Sequence, residues 1–199
     1  MEIGPIWRAS MRNKTGALLV VLQVALTMTL VINALAILEE LAGELGGADV
    51  VVANAGFGRP EIPGEFEPGA ALRLYDTNLL GALRTIDWAL PRFLAAGAGH
   101  LVGIASIASY LGFPHRGSYC GSKAALRVHL QSLRVSLKPY GIAVTTICPG
   151  YVKSELTRPV SYRMPLLWET EQAARDMASA ASARAKAISR PPEEGGGLR

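Results

Sequence analysis

"DVVVANAG", residues 49–56, decides how the chain is read. Three valines and an alanine in unbroken succession show neither the spacing of one helix face nor the alternation of a half-buried strand. A short, continuous apolar run of this kind, closed by Asn54, Ala55 and Gly56, predicts a strand buried on both faces. Two later stretches have the same character, HLVGIAS at 100–106 and GIAVTTICPG at 141–150. Helical patterns lie between them, over 69–96 and 118–138. Strands alternating with helices predict βαβ units and hence a parallel sheet in an α/β fold.

Composition agrees. The chain has 199 residues, enough for one domain with a sizeable core, and 50% of them are hydrophobic against 18% charged. The net charge of +4 comes from scattered Lys and Arg, with no dense basic run interleaved with aromatics, so no nucleic-acid partner is expected. Cys120 and Cys148 have no C-x-x-C partners, and His100, His115 and His129 do not cluster with them, so no metal site is expected. The two cysteines read as small buried residues rather than as a disulfide.

Upstream, residues 15–38 contain no charged side chain. Arg8, Arg12 and Lys14 precede the run and Glu39 and Glu40 follow it. About 20 apolar residues suffice to span a bilayer as a helix, so a transmembrane anchor is expected, with the N-terminus on the cytoplasmic side. A cleaved signal peptide ending near Ala34-Leu35-Ala36 and a helix buried against the following domain are the alternatives. Thr15-Gly16 does not read as a phosphate loop, because no strand pattern precedes it and no further glycine follows. Gly16 reads instead as the entry to the hydrophobic helix. LEELAGELGG, from residue 38, predicts a short amphipathic helix stopped at Gly46-Gly47. MASAASARAKAIS predicts an alanine-rich helix, and RPPEEGGGLR a loose tail. The expected division is a basic leader and hydrophobic helix (1–38), an α/β domain (39–190) and a tail (191–199).

In parallel sheets ligands bind outside the carboxyl ends of the strands. Here those ends carry Asn54-Ala55-Gly56, Ser106 and Pro149-Gly150. Each alone reads as a turn. The helix that follows Ser106 adds Tyr119 and Lys123, which at i and i+4 share a face. A phenol with a pKa of about 10 trades protons poorly near neutrality, and a neighbouring ammonium lowers it. With a hydroxyl from Ser106 to hold a carbonyl oxygen, these residues form an acid–base set suited to reducing a carbonyl or oxidising an alcohol.

These residues and their spacing, with Asn78 in DTNLLGAL and the stretch PGYVKS at 149–154, resemble the short-chain dehydrogenase/reductase family over about residues 38–174. The resemblance implies a Rossmann-like, doubly wound parallel sheet. It implies that Tyr119 is the general acid or base, that Lys123 lowers its pKa and binds the nicotinamide ribose, and that Ser106 steadies the substrate carbonyl. It matches Asn78 to an asparagine that kinks its helix and holds a proton-relay water. It places Asn54, Ala55 and Gly56 beside the cofactor ribose, and Pro149, Gly150, Val152 and Ser154 along the nicotinamide and its phosphates. The cofactor implied is NAD or NADP. The residues add one point of their own: Asn78 shares a face with Leu74, Gly81 and Ala82, and a buried Asn needs a partner. Residues 155–168, with Met and aromatics, occupy the family's variable substrate loop and suggest an apolar carbonyl or alcohol substrate. The resemblance also implies a homo-oligomer built on the helices at 69–96 and 118–138.

The family pattern breaks at the start. The Gly-rich loop and first βαβ half are missing, and the strand at 49–53 is expected to present an open apolar edge in a sheet of three good strands. Residues 1–37 resemble instead the start of a macrolide-exporter-type ABC transporter permease. Three functions therefore compete: an NAD(P)-dependent oxidoreductase, an inactive remnant serving as a membrane-tethered binding module, and a permease-related membrane role, for which no second apolar run of that length exists. The expected location is membrane-anchored, with a cytoplasmic protein as the alternative.

Overall fold

The computed structural model describes residues 19–22, 38–40, 42–44, 47–65, 67–154, 157 and 164–188. Four parallel strands lie side by side in chain order: β1 (Leu19–Leu22), β2 (Val50–Ala53), β3 (Gly99–Ile104) and β4 (Ile142–Ile147). The register sets Val51 opposite Leu101 and Leu101 opposite Val144. These three side chains face one way. On that face they pack with Ile86, Ala89 and Phe93 of α2 (Gly81–Ala96), with Leu126 and Leu130 of α3 (Gly117–Ser136), and with Leu38. Val50, Val52 and Val102 face the other way, against Ala181 of the C-terminal helix (Thr170–Ile188). A sheet covered on both faces needs apolar residues at every position, which explains the unbroken runs in the sequence.

The helix that begins with α1 (Ala70–Tyr75) runs into α2 through a π-helical turn at Asp76–Leu80. Single π turns inside α-helices are frequently found at functional sites. Glycines set how closely the helices approach the sheet. A Cβ added at Gly103 would stand 2.2 Å from Leu130 Cδ1, and one added at Gly99 would stand 2.2 Å from the Phe93 ring. One at Gly121 would meet the Tyr75 hydroxyl at 2.2 Å, so the small residue also lets α1 close on the first turns of α3. At this distance Lys123 of α3 reaches the end of β3.

Two expectations are corrected here. Residues 19–22 form a strand paired in parallel with Val50–Ala53, so the apolar run at 15–38 is not one continuous membrane-spanning helix. Among the described residues no helix is long and apolar enough to cross a membrane. Leu-Val-Val-Leu suits a buried strand as well as a helix, and periodicity does not separate the two. The unpaired backbone of β2 supplies a partner for it. For the same reason β2 has no open edge on that side, and among the described residues the sheet has four strands rather than three. Gly16, the Ala34-Leu35-Ala36 stretch and the tail at 191–199 lie outside the described residues.

Candidate active site

The carboxyl ends of β2, β3 and β4 lie along one edge, and short backbone bonds join the segments that leave β3 and β4. Ala105 N donates to Ile147 O at 2.8 Å, and Ile107 N donates to Pro149 O at 3.0 Å. Ser106, in extended backbone just past β3, caps the 3-10 turn Ile107–Ser109. Its Oγ accepts from Ala108 N at 3.1 Å. That bond uses a lone pair and leaves the hydroxyl proton for another acceptor.

Tyr119, half-buried, stands in the first turn of α3. Lys123 stands one turn later, only 4% exposed, and its Nζ donates to Ile104 O at 2.8 Å. Burial pushes the Lys123 ammonium down to about 8, against a smaller opposing pull from Cys148. An ammonium carries three protons, and Ile104 O takes one of them. Gly56 leaves β2 directly against this group. A Cβ there would lie 3.1 Å from Lys123 Nζ and 3.3 Å from Asn78 Oδ1, so a larger residue would press on both.

Asn78 sits in the π turn and is fully buried. Its Oδ1 accepts from Phe57 N at 2.9 Å, while its Nδ2 donates to Phe57 O at 2.9 Å and to Ser122 Oγ at 3.2 Å. Ser122 Oγ in turn donates to Tyr119 O at 2.9 Å. One network thus ties the exit of β2, the π turn and the first turn of α3 together. The partner required of a buried Asn is supplied by a loop far away in sequence.

The structure therefore brings Asn54, Ala55, Gly56, Asn78, Ser106, Lys123 and Pro149 to one edge, with Tyr119 at the start of the helix above it. Gly150 is exposed just past Pro149, near Ile107. Val152 bridges to Trp168. Ser154 stands apart: it is exposed, and its bonds are with Thr157 in its own turn. Most of the expected substrate loop (155, 156 and 158–163) lies outside the described residues. Phe57 and Ser122 were missed at the level of sequence, although Ser122 lies one turn from Tyr119. Both cysteines are free thiols, Cys120 buried and Cys148 partly so. Among the described residues no group of three or more His, Cys, Asp or Glu is placed to hold a metal.

Residues 8–164 match the family model for short chain dehydrogenases. The chain belongs to the short-chain dehydrogenase family. The match takes in residues 8–37, so the start that resembles a permease lies mostly within the dehydrogenase match. The chain is similar to an uncharacterized oxidoreductase of Myxococcus xanthus, 42% identical over 140 residues that cover 68% of this chain and 54% of that protein. It is 34% identical over 122 residues to a cis-4-hydroxycyclohexanecarboxylate dehydrogenase of Sinomonas cyclohexanicum, covering 61% of this chain and 49% of that one. Among solved structures, a short-chain type dehydrogenase/reductase from Mycobacterium marinum superposes with a TM-score of 0.66 at 27% identity, over 78% of this chain and 65% of that one. A gluconate 5-dehydrogenase from Burkholderia cenocepacia, solved with NADP and tartrate, shares the fold with a TM-score of 0.67 at 24% identity, over 81% and 67%. The chain spans about half the length of these curated relatives. Its lineage is that of a family of oxidoreductases, and its parallel sheet is Rossmann-like.

Proposed function

We propose that this oxidoreductase works on a carbonyl or secondary alcohol with NAD or NADP, using Tyr119 as the acid–base group. The observation that carries the reading is the position of Lys123. It is buried against Gly56 and the end of β3, one turn along the helix from Tyr119. In the alcohol-oxidising direction Tyr119 takes the hydroxyl proton, and in the reducing direction it protonates the carbonyl oxygen. Lys123 favours the phenolate by its charge, and Ser106 holds the substrate oxygen with its remaining proton. Asn78 positions the start of α3 through Ser122 and backs a relay that returns the proton to solvent.

The residues present fit a nicotinamide ribose. Lys123 has protons to spare beyond Ile104 O, and Gly56 leaves the cradle beside it open where a Cβ would fill it. When bound, the cofactor supplies or accepts the hydride. Asn54, Ala55 and Gly56 would line its ribose. Pro149, Gly150 and Val152 would line the nicotinamide, with Ser154 toward the phosphates. Ile107, Tyr110 and Leu111 are exposed apolar residues directly after Ser106, which favours a substrate with an apolar frame. The cyclohexane ring in the name of the Sinomonas relative's substrate points the same way. The alternative of a membrane-tethered binding module loses the continuous anchoring helix and the open sheet edge, since the apolar run contains a strand and that strand pairs with β2.

The test follows nicotinamide absorbance with NADH and NADPH against a panel of cyclic ketones. Turnover is expected from the parent chain. Ser106→Ala is expected to lower it about a hundredfold with little change in cofactor affinity. A parent inactive with both cofactors across the panel would defeat the reading.

A further inference from the structure

Arg127 stands one turn beyond Lys123 and two beyond Tyr119, on the same side of α3. Its Nη2 donates to Ser109 O at 3.2 Å. Its guanidinium carbon lies 4.4 Å from the centroid of the Tyr110 ring. Tyr110 Oη in turn donates to Cys148 Sγ at 3.9 Å, a long contact to sulfur at the exit of β4. That contact holds the Tyr110 phenol above its usual range, and the nearby Arg127 charge opposes it. Arg127 Nε is buried and has no hydrogen-bond partner. The guanidinium is therefore partly desolvated, a setting in which stacking on an aromatic face counts for more than in open water.

We propose that Arg127 is a positioning residue that fixes the Ser106 turn against the exit of β4, acting through Ser109 and Tyr110. Ser109 is the last residue of the turn that Ser106 opens, and its own N–H donates back to Ser106 O at 3.0 Å. A grip on Ser109 O therefore sets the turn that orients the Ser106 hydroxyl. Tyr110 is 62% exposed, and apart from Arg127 only the Cys148 contact holds its side chain among the interactions described. One helix then places both hydroxyls of the site, Tyr119 directly and Ser106 by way of Arg127. The inference rests on the functional reading only for the importance of Ser106; the strap itself is independent of turnover.

Cys148 reports the strap, because Cys120, the other cysteine, is only 5% exposed. The experiment labels the full chain with the neutral thiol reagent 4,4′-dithiodipyridine, well below the unfolding temperature and with no cofactor or substrate. Cys148→Ser identifies the signal. Arg127→Met and Tyr110→Ala are each expected to speed Cys148 labelling about fivefold, with Tyr110→Phe between them and the parent. Arg127→Lys keeps the charge without the planar fork and is expected to stay near Arg127→Met. The Arg127→Met/Tyr110→Ala double variant is expected to label no faster than Tyr110→Ala alone, because the two act as one unit. Val128→Ala, at an exposed neighbour on the same helix, is expected to match the parent. Labelling of Arg127→Met and Tyr110→Ala at the parent rate, or equal acceleration by Val128→Ala, overturns the strap. Should Arg127→Met fail to fold, the surface variants of Tyr110 decide alone. In the same variants turnover is expected to fall while NADPH affinity holds. An inactive parent would defeat the functional reading, and the labelling rates would still decide the role of Arg127.

Discussion

Tyr119→Phe is expected to lower turnover about a thousandfold, within the range that a positioned acid–base group contributes. The substitution removes one oxygen and keeps the ring, so the half-buried side chain keeps its packing in the first turn of α3. The network beneath it runs through the backbone carbonyl of Tyr119, which accepts from Ser122 and is kept by the substitution. Unfolding midpoints in urea and NADPH affinity are therefore expected to stay near parent values while the rate collapses. Turnover within threefold of the parent would show that the proton moves elsewhere.

The second large effect concerns Lys123 and has a definite sign with pH. Its ordinary value of 10.5 falls to about 8 in the folded chain because burial disfavours the charge. Below pH 8 the group is protonated in both folded and unfolded states, and burying the charge costs on the order of 3 kcal/mol. Between pH 8 and 10.5 the unfolded chain holds the proton and the folded chain has released it. The unfolded state then binds more protons, so stability rises with pH across that window. Lys123→Met abolishes this term. It is expected to equal or exceed the parent in stability at pH 7, despite losing the bond to Ile104 O, and to lose that advantage by pH 10. At pH 7, where Lys123 is charged, turnover is expected to fall at least a hundredfold, because the phenolate of Tyr119 loses its neighbouring cation. Urea unfolding at pH 7 and pH 10 measures the first effect. A stability difference that does not change with pH would contradict the account of the buried ammonium.

The sites that were legible in the sequence are those set by local pattern. Strands β2, β3 and β4 stand out because a sheet covered on both faces needs continuous apolar runs, and each run ends in a turn residue at the working edge. Tyr119 and Lys123 stand out because helical periodicity puts them on one face. Asn78 stands out because an amide among Leu74 and Ala82 demands a partner, and it has three bonds. What escaped depends on contacts between distant parts of the chain. Leu19–Leu22 lies inside a longer apolar run whose length suits a bilayer, and only the open backbone of β2 selects a strand there. Phe57 and Ser122 gain their roles from Asn78, which lies well away from both in the sequence. Arg127 looks like an ordinary charged residue on a helix until the Ser106 turn folds back onto it.

Gly56, Lys123 and the edge beside them are proposed to form a nicotinamide site. Titrating NADPH and NADH into the full chain and following nicotinamide fluorescence tests it most directly. Saturable binding below millimolar concentration is predicted for at least one of the two, weakened at least tenfold in Lys123→Met. A folded parent that binds neither cofactor would contradict the account.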